Sequence, residues 1–331
     1  MRLNNKYIIY NNADYKDGSN DKDGYSTICL HDLNHLDGVE VIGGPMPKIH
    51  RILAYLIIIL RKLRIPCVLL KPFIKRNNHD SSDLCVLLLR IFDATYLTWL
   101  RLQYPKARFS LFLRDLYETK QPHVSYYRKE HLIDYWGTYD ILEKEKYGMD
   151  FYYPEIESKI DLSSVSDYST CDVFFAGAAK KRFSQILEAY DYFTSHGIKC
   201  HFIIMDADEK EKEIREGIEY INEFMPYRRM LELSVQSNCI LEISQEGAVG
   251  NTSRFLEAVI YNKKLITNNS GILGEKYYNP KFMKVYSSIT EISPSFINEK
   301  IDVDYGYAGD FSPVGLIKCV DDVISKKMVR I

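Results

Sequence analysis

Short apolar runs alternate with longer stretches of helical periodicity along this chain. The runs at 6–10, 39–42, 67–70, 84–88 and 108–113 have the length and the bounding turns of buried strands. Between them, 46–63 and 95–104 carry apolar residues at the spacing of a helix face. Arg51, Tyr55 and Arg61 interrupt the first, and Pro105 stops the second. The segment 131–148 predicts a short strand and then a helix, with Gly148 just past its end. A polar stretch follows at 158–170, with five serines and two aspartates, and marks a domain boundary. After it the pattern restarts. Strands are predicted at 172–175, 199–205, 218–221, 239–243 and 265–267. Helices are predicted at 183–195, 227–237, from about 251, and at 313–325. Strand and helix alternating in this way predicts an α/β protein with parallel sheets. The domains read as 1–160 and 168–311, with a C-terminal helix, 312–331, that would cross back to the first.

The stretch 239–269 carries the most chemistry. It runs strand, glycine-bearing turn, helix, strand, the unit in which a helix N-terminus meets a phosphate. Gly247 and Gly250 let a ligand approach the backbone, and Thr252 and Ser253 offer hydroxyls in the first turn. Arg254 adds a permanent cation, and Glu257, three residues on, projects from the same side. A carboxylate there can accept hydrogen bonds from a ribose diol. The competing reading is an ordinary crossover with a surface Arg–Glu pair. A second basic turn, with Gly177, Lys180 and Arg182, also follows a strand. If the two strands are neighbours, both turns serve one crevice, and a diphosphate is what that crevice would hold.

Other chemistries lack their spacing. There is no GxxxxGK[ST], no GxGxxG after a first strand, no serine nucleophile elbow and no HExxH. The loop 11–25 holds Asp14, Asp17, Asp21 and Asp23, but an EF-hand register puts Leu30 where a bidentate glutamate is needed. The loop reads instead as the mouth of a cleft after a first parallel strand. Asp206-Ala207-Asp208 follows an apolar strand, where a metal-binding DxD would stand, yet Glu209, Glu211 and Glu213 beside it suggest a solvated loop.

Composition narrows the classes. A net charge of −2 gives no global reason to expect nucleic acid. The 26 tyrosines suit sugars and interfaces, because each ring can stack while its hydroxyl bonds. Seven cysteines without a CxxC pair, several inside apolar runs, predict reduced thiols in a cytoplasmic protein. The polar start, 1–6, predicts no signal peptide. From 41 to 79 there is no acidic residue, while Lys48, Arg51, Arg61, Lys62, Arg64, Lys71, Lys75 and Arg76 all fall there. The apolar stretch inside it, 53–60, is far short of the ~20 residues that span a bilayer. A basic, apolar helix of this kind can lie on an anionic membrane surface. The alternative is a packed helix with solvated ends.

At this point the chain resembles a known group. The segment 237–269 is similar to the C-terminal signature of bacterial glycosyltransferases of the GT-B fold that assemble lipopolysaccharide core and capsule. Thr252, Arg254, Glu257 and Ala258, then Lys263, Lys264, Leu265, Ile266 and Thr267, fit its pattern, and 277–280 and 284–288 are similar too. The segment 134–154 resembles the family's close of the N-terminal domain. The likeness covers roughly 134–288 well and the first 130 residues poorly. It implies two Rossmann-like domains facing a central cleft, with the nucleotide-sugar as substrate and no cofactor or bound metal. Gly177, Lys180, Arg182, Gly247, Gly250, Thr252, Ser253 and Arg254 would hold the diphosphate. Glu257 would take the ribose, and the turn 224–227, with Met225 and Tyr227, would border the base. An inverting reaction would need a base from the first domain, and Asp23, Asp17 and then Asp115 are the candidates. The acceptor would be a lipid-linked or lipid A-linked glycan. The other classes in play are a non-catalytic sugar-nucleotide-binding protein and a metal-dependent transferase using Asp206 and Asp208.

Overall fold

A computed structural model of the chain describes residues 3–12, 24–43, 48–63, 77–165, 170–223, 225–244 and 251–328. The described residues divide into two compact units. The first draws on Met1–Asn20, Asp32–Ile156 and Ser312–Ile331; the second on Asp21–His31 and Glu157–Phe311.

The first unit is built on six parallel strands: β1 (Lys6–Asn12), β2 (Val39–Gly43), β3 (Leu84–Leu88), β4 (Arg108–Leu113), β5 (Tyr135–Thr138) and β6 (Phe151–Tyr152). Their order across the sheet is β2-β1-β3-β4-β5-β6. All five residues of β3 are buried, as a central strand covered on both faces requires. Helix α1 (Tyr25–Ile28) precedes β2 in the chain, and α2 (Lys48–Lys62) follows it. Helix α2 packs on α3 (Ala94–Gln103), burying Ala54 and Ile57 completely. Asp93 caps α3 by accepting from the amides of Thr95 and Tyr96. Helix α4 (Tyr117–Lys129) escaped the sequence reading. Its buried face is only Tyr117, Val124 and Tyr127, and Pro122 stands inside it. Glu143 of α5 (Ile141–Tyr147) accepts from the Tyr117 amide at 2.9 Å and so caps α4 from outside. The expected strand at 67–70 lies outside the described residues.

The second unit has its own six parallel strands: β7 (Cys171–Ala178), β8 (Cys200–Met205), β9 (Ile218–Ile221), β10 (Ser237–Glu242), β11 (Lys264–Thr267) and β12 (Met283–Val285). Helices α6 (Phe183–Ser195), α7 (Tyr227–Val235), α8 (Ser253–Ile260) and the short α9 (Pro294–Asn298) cover it. The order β12-β11-β10-β7-β8-β9 is doubly wound: the chain starts in the middle with β7, builds one side, then returns to β10 and builds the other. Helix α8 is strongly one-sided, with Ser253, Arg254 and Glu257 on its polar side, and 255–260 are all buried.

Two segments depart from a simple division at 160. Helix α1 belongs to the second unit, where Ile28 packs with Ile160, Tyr227 and Leu231, and the Tyr25 ring meets that of Tyr227 edge-on at 4.9 Å. Helix α10 (Pro313–Met328) belongs to the first. Its buried Asp321 accepts from the amides of Asn4 (2.9 Å) and Asn5 (3.1 Å), from Asn5 Nδ2 (2.7 Å) and from the Tyr7 hydroxyl (3.0 Å).

Candidate functional site

In an open doubly wound sheet, the ends of the two strands at the reversal point diverge and leave a crevice at their C-terminal edge. In the second unit those strands are β7 and β10, paired in register with Cys239 opposite Val173 and Ile240 opposite Phe174. The two turns singled out in the sequence follow those two strands.

Arg182 joins the strand ends. Its Nε donates to the Ala178 carbonyl at 3.0 Å, and Nη1 donates to the Ile243 carbonyl, just past β10. Gly177 is small for the sake of this contact: a Cβ there would sit 2.7 Å from Arg182 Nη2. Arg182 is therefore a strap between strands, and burial lowers its pKa from the ordinary guanidinium value. Lys180 differs. It adopts a left-handed backbone conformation (φ 42°), is exposed, and its ammonium has no hydrogen-bond or ion-pair partner among the described residues.

At the start of α8, Thr252 is the N-cap, its hydroxyl accepting from the Phe255 amide at 3.4 Å. Ser253 opens the helix and is half-buried. Arg254 turns inward to Glu257, and its Nη1 lies 3.4 Å from Ser234 Oγ. Glu257 is 0% exposed. One of its oxygens holds Arg254 and the other accepts from the Tyr227 hydroxyl at 2.8 Å. Both oxygens of the carboxylate that the resemblance implies for the ribose are thus engaged by Arg254 and Tyr227, and Glu257 fixes Arg254.

Tyr227 also lies 3.0 Å from Glu157 Oε2, so one phenol stands between two buried carboxyls. A phenol carries one proton and donates once. For both contacts to be hydrogen bonds, one carboxyl must carry a second proton. Burial raises the pKa of Glu257 from the ordinary carboxylate value, with Arg254 opposing. Burial, with Glu157 and Glu257 adding, also keeps the Tyr227 phenol protonated. Tyr227 is therefore an interior hydrogen-bond bridge, and Met225, the other residue expected at the base, is half-buried against the cluster of Cys171, Phe174, Ile203 and Leu233.

The sequence reading missed Glu242. It ends β10, is 4% exposed and accepts from Thr267 Oγ1 at 2.6 Å. Burial raises its pKa, offset by hydrogen bonds from Thr252 and Thr267 and by the charges of Arg254 and Arg182. An acid closing an otherwise apolar strand was the available signal. Ser244 Oγ and Asn251 Oδ1, on either side of the glycine turn in the chain, are buried with no hydrogen-bond partner among the described residues.

Gly247, Gly250, Asp17 and Asp23 lie outside the described residues. Asp115 is exposed at the end of β4 in the first unit, 3.2 Å from the Lys120 ammonium. Asp206 and Asp208 stand on an exposed turn, where Asp208 accepts from the Lys210 amide. No group of three or more His, Cys, Asp or Glu among the described residues is arranged to hold a metal ion.

No protein-family profile matches the chain, and no curated protein matches it. Solved structures do. A putative UDP-N-acetylglucosamine 2-epimerase from Listeria monocytogenes aligns with a TM-score of 0.53 at 9% identity, covering 97% of each chain. Anabaena HepE, in complex with UDP and glucose, aligns at 0.51 and 8% identity, over 98% of this chain and 100% of its own. An alpha-glucosyltransferase in complex with UDP and a 13-mer DNA aligns at 0.50 and 12% identity, over 96% and 91%. The chain has the two-domain α/β fold of these transferases and epimerases, the GT-B type.

Proposed function

We propose that this protein is a glycosyltransferase that moves a sugar from a nucleotide-sugar donor to a growing cell-surface glycan, such as lipopolysaccharide core, O-antigen or capsule. The observation that carries the reading is that β7 and β10, the strands that the two phosphate-type turns follow in the chain, are neighbours at the reversal point of the sheet. The diphosphate sits over the first-turn amides of α8, with Lys180 as the free cation and Ser253 as a hydroxyl donor. Arg254 supplies positive charge from the helix start, held in place by Glu257. Ser244 and Asn251 offer polar atoms that are unpaired among the described residues. As the sugar–phosphate bond breaks, charge grows on the diphosphate, and pre-aimed amides and cations stabilise it without a bound metal. The UDP complexes of the structural neighbours make UDP the first nucleotide to test. The acceptor is a lipid-linked or lipid A-linked glycan. If the reaction inverts, Asp115, Asp17 or Asp23 takes the acceptor proton.

A thermal-shift screen of UDP-, GDP-, dTDP-, CDP- and CMP-sugars identifies the donor. Arg254→Ala is expected to abolish transfer, by roughly a hundredfold or more for loss of a charge-stabilising donor, while the protein stays folded. Donor binding without transfer to any glycan would favour a non-catalytic binding protein. Loss of activity in EDTA would favour the metal-dependent alternative.

A further inference from the structure

We infer that Glu157 is a positioning residue of the candidate donor site and acts as a neutral carboxylic acid, heading a one-way chain of hydrogen bonds that ends on Arg254. The transferase reading above gives the chain its purpose, and the inference rests on that reading. Glu157 and Glu257 are both 0% exposed. The Tyr227 hydroxyl stands between them, 3.0 Å from Glu157 Oε2 and 2.8 Å from Glu257 Oε1. If both carboxyls were ionised, one of them would face the phenol oxygen with no proton between the two. Burial makes that arrangement costly, so the pair holds one proton besides the phenol's.

Burial weighs on both carboxyls and does not choose between them. Arg254 does. Its guanidinium touches the other oxygen of Glu257, and its charge there outweighs the opposing charge of Glu242. Glu257 is therefore the ionised member and Glu157 the acid. Each proton then has one place. Glu157 donates to the phenol oxygen, the phenol donates to Glu257, and Glu257 accepts from Arg254. Bonds aligned head to tail polarise one another. The Tyr25 ring, edge-on to Tyr227, is the other ionisable group beside the phenol.

The acid is itself pinned. The Glu157 amide donates to the Phe311 carbonyl at 2.9 Å, and the next residue, Ser158, donates its hydroxyl to the Cys29 carbonyl at 2.9 Å. At the far end, Tyr227, Met230 and Ser234 share one face of α7, at i, i+3 and i+7. The Arg254 guanidinium meets the Met230 sulfur and lies 3.4 Å from Ser234 Oγ. Its Nε has no partner among the described residues. Helix α7 and Glu257 thus fix the guanidinium and leave an N–H for a ligand. A donor fixed beforehand stabilises growing charge without reorganising.

The test joins infrared spectroscopy to nucleotide titration of the full chain. At about pH 8, where an ordinary carboxylate has lost its proton, the parent should show the C=O band of a neutral carboxylic acid, and Glu157→Gln should lack it. The titrant is UDP, or GDP, dTDP, CDP or CMP if one of these binds more tightly. Tyr227→Phe should weaken its binding roughly tenfold, for a hydrogen bond lost to a charged group. Glu157→Leu, close in size but without a donor, should weaken it roughly fivefold. Glu157→Gln, whose amide N–H replaces the acid O–H, should restore it to within about twofold of the parent. A purely structural role would move the urea midpoints and leave nucleotide affinity alone. Should Glu157→Leu fail to fold, Tyr227→Phe and the infrared band still decide. No acid band, or a band that survives in Glu157→Gln, would overturn the inference. So would parent-like affinity in Tyr227→Phe, or equal losses in the Leu and Gln variants. The expected band in a chain that takes none of the five nucleotides would uphold the acid and sink the transferase reading.

Discussion

Glu242 and Glu257 show how a buried acid organises the candidate site without touching solvent. Glu242 draws together the caps of α8 and β11 through Thr252 and Thr267, between two guanidinium groups. Burial raises the pKa of both, and that of Glu143, above the ordinary carboxylate value. The folded chain therefore keeps protons that the unfolded chain releases above about pH 4.3. Between that pH and the raised folded values, the native state binds more protons, so stability falls as pH rises. Exposed acids with lowered values, such as Glu118 and Glu209, act below that window. The urea midpoint is expected to drop from pH 4.8 to pH 7, and Glu242→Gln should flatten the slope. An unchanged slope in that variant would remove Glu242 from the explanation. From the sequence, Arg254 and Glu257 were legible as a pair at helical spacing. Which way the pair faced was not, because that depends on Tyr227 and Glu157, thirty and a hundred residues away in the chain.

Strands were the most legible elements, since a parallel strand covered on both faces is an uninterrupted apolar run. Helix α8 was equally plain. Its cap is expected to matter twice: Thr252→Ala should cost about 1 kcal/mol of stability for the lost cap, and it should also weaken nucleotide binding by freeing the helix start. A urea melt and a UDP titration read the two effects separately, and a variant that binds UDP as tightly as the parent would detach the cap from the ligand. Helix α4 was hidden for a physical reason. Its sequence, YETKQPHVSYYRK, is polar on most sides and bears a proline, and it forms because Glu143 caps it and three residues reach the core. Local propensity alone carries too little of that information.

At the scale of the whole molecule, the alternation of strand and helix announced two α/β units, and the comparisons with solved structures agree on the architecture. The sequence suggested that the C-terminal helix crosses back, and α10 belongs to the first unit. The early departure of α1 to the second was not visible, because it rests on contacts between residues far apart in sequence. The order of the six strands within each sheet was likewise beyond periodicity, although the reversal point it creates lies between the two strands that the conspicuous turns follow.

The four hydrogen bonds to Asp321 carry a consequence for biosynthesis. The strand that opens the first unit is tethered by a helix that leaves the ribosome some three hundred residues later. Translation therefore completes the two units in reverse order: Glu157–Phe311 can close while the earlier half still waits. Arrested nascent chains that end at residue 311 and carry a tunnel-length linker should show a protease-resistant second unit and a digestible first one. Chains extended through 328 by a tunnel-length linker should protect both, and early protection of the first would show that it needs no such late arrival.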